Sequence, residues 1–179
     1  MLILNIIFCA AVLLFLVVIG SCLWSEKAAR ISPTPSLPWV RKAALDLLHP
    51  YADPNKSYSI AELGCGWGGT IAALRRQYPQ AHIVGYETSF WPWAVTRARA
   101  RKNTRISRAD IFAQDISGCD IIFCYLSPHH MEKLKPQFQT MKPGSLIVSN
   151  AFPIHGWIPT STVTVGGPIK IPVFLYKTA

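Results

Sequence analysis

The chain has 179 residues, half of them hydrophobic and 15% charged, with a formal net charge of +9. That length accommodates one domain and an appendage, and the composition excludes both a disordered tail and a polytopic membrane protein. The five cysteines, Cys9, Cys22, Cys65, Cys119 and Cys124, form no C-x-x-C pair, and with His49, His82, His129, His130 and His155 scattered there is no zinc spacing, so no metal is expected.

The first element is an apolar run, Leu2 to Leu23. Its 22 residues at about 1.5 Å each would span roughly 33 Å as a helix, against about 30 Å of hydrocarbon. No Lys or Arg precedes it, whereas Lys27, Arg30, Arg41 and Lys42 follow. These features predict a single transmembrane anchor over residues 1–24 with the remainder facing the cytoplasm, under the positive-inside rule. A Pro-rich linker is expected over 25–38, on Pro33, Pro35 and Pro38, and a folded domain over 39–179.

Trp39–Leu48 has helical periodicity and ends ahead of Pro50. From there short apolar runs alternate with helical stretches. Strands are predicted at Tyr58–Leu63, Ala81–Glu87, Thr104–Arg108, Asp120–Leu126 and Ser145–Asn150, with helices at Gly69–Tyr78, Pro92–Lys102 and His130–Phe138. Strand, helix, strand at this spacing implies parallel pairing through right-handed crossovers. The tail differs, because Thr160–Val165 and Ile171–Lys177 flank Gly166-Gly167-Pro168-Ile169-Lys170, a hairpin signal. The expected fold is therefore α/β, doubly wound and mostly parallel, ending in an antiparallel hairpin.

Glu62-Leu63-Gly64-Cys65-Gly66-Trp67-Gly68-Gly69 falls where the first strand turns into its helix. Glycine lets the chain turn tightly and lets a ligand lie against the backbone, and the following helix aims free N–H groups at it. Gly64, Gly66 and Gly69 satisfy the dinucleotide spacing G-x-G-x-x-G. Glu62, Gly64, Gly66 and Gly68 also satisfy acidic-x-G-x-G-x-G, the form seen in methyltransferases. Three features favour S-adenosylmethionine over NAD as the cofactor. Glu62 would repel a pyrophosphate but suit a cationic amino-acid tail. Glu87 can accept ribose hydroxyls at the end of the second strand, a device NAD folds share. Asp110, followed by Ile111, stands after the third strand where methyltransferases commonly face adenine. Each acid can also serve merely as a strand-end or capping residue.

The chain resembles the class I, Rossmann-like, S-adenosylmethionine-dependent methyltransferases. Within them it resembles the single-span lysine methyltransferases of ATP synthase c-subunit and adenine nucleotide carrier, together with their bacterial relatives. The resemblance is carried by the anchor and Pro-rich stretch, Glu87-Thr88-Ser89-Phe90-Trp91, Leu126-Ser127-Pro128-His129-His130-Met131 and Ala151-Phe152-Pro153-Ile154-His155-Gly156-Trp157. It departs at Cys65 and Trp67 between the glycines and at the two histidines after Pro128. The resemblance implies methyl transfer to a lysine of a membrane or membrane-near protein, with Ser127, Pro128 and His129 beside the transferred methyl. Methylation of a lipid or quinone-like molecule, an NAD-dependent oxidoreductase and a non-catalytic scaffold are the alternatives. Arg97, Arg99, Arg101, Lys102, Arg105 and Arg108 form a basic run without an intervening acid. It fits anionic lipid on a tethered domain, with RNA as the less favoured partner.

Overall fold

The computed structural model describes residues 1–29, 36–166 and 170–179; within the first helix the side chains of residues 2, 11, 14, 18, 19 and 21–29 are outside the description. The chain divides into two compact units, Met1–Pro33 and Thr34–Ala179. The first holds helix α1, Leu2–Ala29.

The expected transmembrane helix is corrected here. Among the described residues no helix is long and apolar enough to cross a membrane. The single-pass membrane localisation and the cytoplasm-facing orientation inferred from that helix fall with it. Residues 30–35 of the Pro-rich stretch lie outside the described residues.

The second unit opens with α2, Pro38–Leu48, whose proline at the first turn costs no hydrogen bond. Next come β1 (Ser59–Leu63), α3 (Gly69–Gln77), β2 (His82–Glu87), α4 (Phe90–Arg99) and β3 (Thr104–Arg108). A 3-10 turn at Ile111–Ala113 follows, then β4 (Ile121–Cys124), α5 (Pro128–Gln139), β5 (Leu146–Asn150), β6 (Ser161–Val165) and β7 (Ile171–Lys177). Two helices begin two residues ahead of the sequence expectation, at Phe90 and Pro128. The N–H that Pro92 lacks in α4 belongs to the first turn, where backbone donors have no intrahelical partner anyway.

The strands make one seven-stranded sheet in the order β3-β2-β1-β4-β5-β7-β6. The pairs β1–β2, β1–β4, β2–β3 and β4–β5 are parallel; β5–β7 and β6–β7 are antiparallel. The hairpin thus doubles back, and β7 rather than β6 meets β5. The three residues 167–169 of its connection lie outside the description.

Side chains alternate between the two faces of the sheet. Ile60, Ile83, Ile121, Phe123 and Val148 join Leu48 of α2 and Leu74 of α3 in one buried cluster. Ala61, Leu63, Ile122 and Ile147 join Leu134 and Phe138 of α5 in the other. Arg75 ties the first face together: its guanidinium donates to the carbonyls of Pro79, Ala81 and Asn103 at 3.0, 2.7 and 2.9 Å. After β1 the chain winds toward β2 and after β4 toward β5, so a crevice opens at the carboxyl ends of the adjacent strands β1 and β4. Open α/β sheets bind ligands at such a switch point.

Candidate cofactor and acceptor site

The turn after β1 is built on backbone that favours glycine. Gly64, Gly66 and Gly68 have φ of 78°, 48° and 79°, the left-handed region where a Cβ is costly. A Cβ on Gly66 would meet nothing within 4 Å, so this face of the loop is open to a ligand. On Gly68 it would lie 2.6 Å from Thr96 Cγ2, and on Gly64 3.3 Å from Leu126 Cδ2. Thr96 of α4 donates its hydroxyl to the Gly66 carbonyl at 2.8 Å.

Glu87 closes the loop from β2. Its Oε2 accepts the Gly66 N–H at 2.9 Å and its Oε1 the Ser89 N–H at 2.8 Å. The side chain is half-buried, leaving lone pairs for ligand hydroxyls. Glu62 is quite different. Only 7% exposed, it accepts hydrogen bonds from the Thr70 hydroxyl and the Ile71 N–H. Its Oε2 has no hydrogen-bond partner. Burial outweighs these bonds and the nearby Arg41 charge, and pushes its carboxyl up to about 8.

Asp110 is exposed and caps the 3-10 turn by accepting the Phe112 N–H at 3.0 Å. Ile111 is buried against the second core cluster. Glu62, Glu87, the glycine loop and Asp110 therefore all sit at the carboxyl ends of β1, β2 and β3.

The residues after β4 divide. Ser127 precedes α5 as its N-cap and Pro128 is its first residue. His129 is exposed, whereas His130 is buried. Ser127 Oγ lies 2.5 Å from His130 Nδ1, and the His130 imidazole stacks on Phe112 with centroids 5.5 Å apart. The second histidine of the pair is thus the one turned inward, one helical step of about 100° from the first.

Sequence reasoning also missed an aromatic pair. Tyr125 and Phe152 stack at 6.4 Å with an interplanar angle of 18°. Phe152 is held there by a tight turn: Ala151 has φ of 68°, the Phe152 N–H donates to the Asn150 carbonyl at 2.9 Å, and the Ser149 hydroxyl donates to the Phe152 carbonyl at 2.6 Å. A non-glycine residue at such φ marks stored strain at a strand end. The signal in the sequence is the Ala151–Trp157 segment, one of those that carry the family resemblance.

Cys65 and Cys124 are buried, and burial raises the Cys124 thiol to about 12. The basic run contributes Arg99 and Arg101, which with Arg75 and Arg76 line a hollow of about 250 Å³ between α3 and α4, bordered by Trp67 and Gly68 of the glycine loop.

The crevice suits an adenosyl amino acid: an open glycine backbone, a half-buried carboxylate at Glu87, and at Glu62 a buried carboxyl oxygen in want of a donor. Comparison with known proteins agrees. The profile of the ANTKMT methyltransferase domain matches residues 62–161. A protein-lysine N-methyltransferase of Saccharolobus islandicus (strain REY15A) is 32% identical over 124 residues, covering 65% of this chain and 77% of that protein. A trans-aconitate 2-methyltransferase of Deinococcus radiodurans is 29% identical over 100 residues, 52% of this chain and 38% of its own length. The crystal structure of an RNA methyltransferase from Salinibacter ruber in complex with S-adenosyl-L-homocysteine superposes with a TM-score of 0.70 at 27% identity, over 80% of this chain and 93% of that one. The fold is the Rossmann-like one of class I methyltransferases, here with a mixed sheet, and the cofactor is S-adenosylmethionine. The chain belongs to the ANTKMT methyltransferase domain family and is an S-adenosylmethionine-dependent methyltransferase.

Proposed function

We propose that the acceptor is the side-chain amine of a protein lysine. The observation that carries this reading is the Tyr125–Phe152 stack, continuous through Leu126 with the glycine loop. An aromatic wall suits a long aliphatic chain ending in an amine. The segment has no Asn/Asp-Pro-Pro-Tyr/Phe pattern with which to grip a planar amide or base nitrogen. The Saccharolobus islandicus relative, named as a protein-lysine N-methyltransferase, supports the same substrate class.

In this reading Gly64, Gly66 and Gly68 provide the backbone on which the cofactor lies. Glu62 balances its ammonium, Glu87 accepts the ribose hydroxyls, and Asp110 with Ile111 faces the adenine. When bound, S-adenosylmethionine supplies a methyl group on a sulfonium that departs as a neutral thioether. A lysine enters as the ammonium, with an ordinary pKa of about 10.4, and must lose its proton before its lone pair can form the new N–C bond. Tyr125 and Phe152 would favour the neutral amine by stripping it of water, with the proton passing to solvent. In the same reading Ser127, Pro128 and His129 stand beside the transferred methyl.

The test is incubation of the purified chain with tritiated S-adenosylmethionine and a cell extract, followed by fractionation. Label recovered as methyl-lysine after acid hydrolysis of the protein fraction is expected. Label confined to RNA, to which the Salinibacter ruber neighbour's name points, or to the lipid extract would overturn the reading.

A further inference from the structure

Arg41 carries a charge that no carboxylate of the described residues neutralises at close range. The ion pairs there are Lys42–Asp46 and Lys142–Asp120, and Arg41 belongs to neither although it is half-buried. Its Nη1 donates to the Ser36 carbonyl. Its guanidinium lies against the first residue of α3: a Cβ built on Gly69 would be 3.0 Å from Nη1, 3.1 Å from Cζ and 3.4 Å from Nε. Gly69 thus leaves the room that the guanidinium fills.

This is a cation laid against a helix N-terminus, whose unpaired N–H groups and dipole are also positive. The first turn of α3 contains no acid. Two positive ends brought together away from bulk water repel unless an anion enters between them. Glu62 is the near carboxyl, yet it is buried, its Oε2 is unpartnered, and burial favours its neutral form. A second unpartnered oxygen is the buried Oδ1 of Asn150, a residue only 4% exposed. It belongs to the end of β5, on the face that β1 presents through Glu62. The Asn150 Nδ2 reaches Ser36 Oγ at 3.5 Å. One neighbourhood therefore offers a spare cation, a helix N-terminus and a carboxyl oxygen seeking a donor. An α-amino acid group, one carboxylate and one ammonium, is the complement of that set.

We propose that Arg41 grips the α-carboxylate of the cofactor's methionine tail, with the segment Ser36–Arg41 running from Asn150 at the end of β5 to Gly69 at the start of α3. Arg41 then selects for a carboxylated cofactor, while Glu62 takes the ammonium. The proposal rests on S-adenosylmethionine as cofactor and is independent of what the acceptor is.

The test is binding of the full chain to two ligands by titration calorimetry, S-adenosylhomocysteine and its decarboxylated analogue. The wild-type protein should prefer the carboxylated ligand by about ten- to a hundredfold, the range for a hydrogen bond to a charged group. Arg41→Gln should abolish the preference by weakening S-adenosylhomocysteine alone, and Arg41→Lys should keep part of it. Equal affinities in the wild-type protein, which need no variant to fold, would overturn the proposal. So would an Arg41→Gln variant that weakens both ligands alike, since that is the mark of a structural role. Loss of lysine methylation with the preference intact would speak only against the proposed acceptor.

Discussion

Gly66 donates its backbone N–H to Glu87 Oε2 at 2.9 Å, so the last side chain of β2 fixes the middle glycine of the turn after β1. The interaction joins parts of the chain that meet only through the parallel pairing of β1 with β2, where Leu63 lies opposite Tyr86. Glu87→Ala should remove that tie together with a ribose acceptor. Cofactor affinity is expected to fall by about 1.5–3 kcal/mol, measured by titration calorimetry. Glu87→Gln, which keeps one carbonyl acceptor, should lose less. An unchanged dissociation constant in Glu87→Ala would remove the residue from the site.

Glu62 should make both stability and cofactor binding depend on pH. Its folded-state pKa of about 8 stands above the ordinary 4.5. Between those values the folded protein holds a proton that the unfolded chain gives up. Stability should therefore fall as pH rises from about 4.5 to about 8 and level off above. Thermal unfolding against pH checks this, and Glu62→Gln should flatten the slope in that window. Binding of the cofactor's ammonium favours the carboxylate, so near pH 7 it should release a proton from the wild-type protein. Calorimetry in buffers of different ionisation enthalpy reads that proton, and Glu62→Gln should lack it.

Gly68→Ala meets two obstacles. The residue's φ of 79° costs an alanine about 1–2 kcal/mol. The new Cβ would also lie 2.6 Å from Thr96 Cγ2, and such overpacking costs about 1–3 kcal/mol. Urea denaturation should show a loss of roughly 2–5 kcal/mol. Adding Thr96→Ala should return the steric part but not the backbone part, a coupling that a double-mutant cycle isolates.

Tyr125 and Phe152 should act on the acceptor and not on the cofactor. Phe152→Leu breaks the stack while keeping an apolar side chain. It is expected to lower kcat/KM for the acceptor about two- to tenfold, in line with roughly 0.5–1.5 kcal/mol for an aromatic pair beyond its burial. S-adenosylhomocysteine affinity should stay within twofold, about 0.4 kcal/mol. A matching loss of cofactor affinity would move the pair out of the acceptor passage.

Ala151→Gly should stabilise the protein. At φ of 68° the alanine carries left-handed strain of about 1–2 kcal/mol, part of which glycine gives back as unfolded-state entropy. A gain of roughly 1 kcal/mol in urea denaturation is expected. No gain would mean that the turn is held by the Ser149–Phe152 hydrogen bond without strain at Ala151.

The sequence by itself determined what is local. The alternation of apolar runs with helical stretches placed each strand and helix of the second unit within a few residues, because side-chain periodicity follows directly from backbone geometry. The glycine spacing after β1 announced a ligand turn, since positive φ at three nearby positions leaves few alternatives to glycine. Tertiary structure decided the rest. Nothing in the hairpin's own residues says that β7 and not β6 pairs with β5. Which of two adjacent histidines turns inward depends on how α5 rotates against the sheet, and His130 was fixed by packing on Phe112. The apolar run at the start has the composition of a span, yet among the described residues no helix can cross a membrane. Asn150 lies far along the chain from Ser36 and Arg41, without any motif linking them, and they meet because α2 packs on β5, β6, β7 and α3, which brings Ser36 to Asn150 and Arg41 to Gly69. Partnerless buried oxygens and an unpaired guanidinium are properties of that enclosure, because desolvation and charge balance arise only when the chain folds around them.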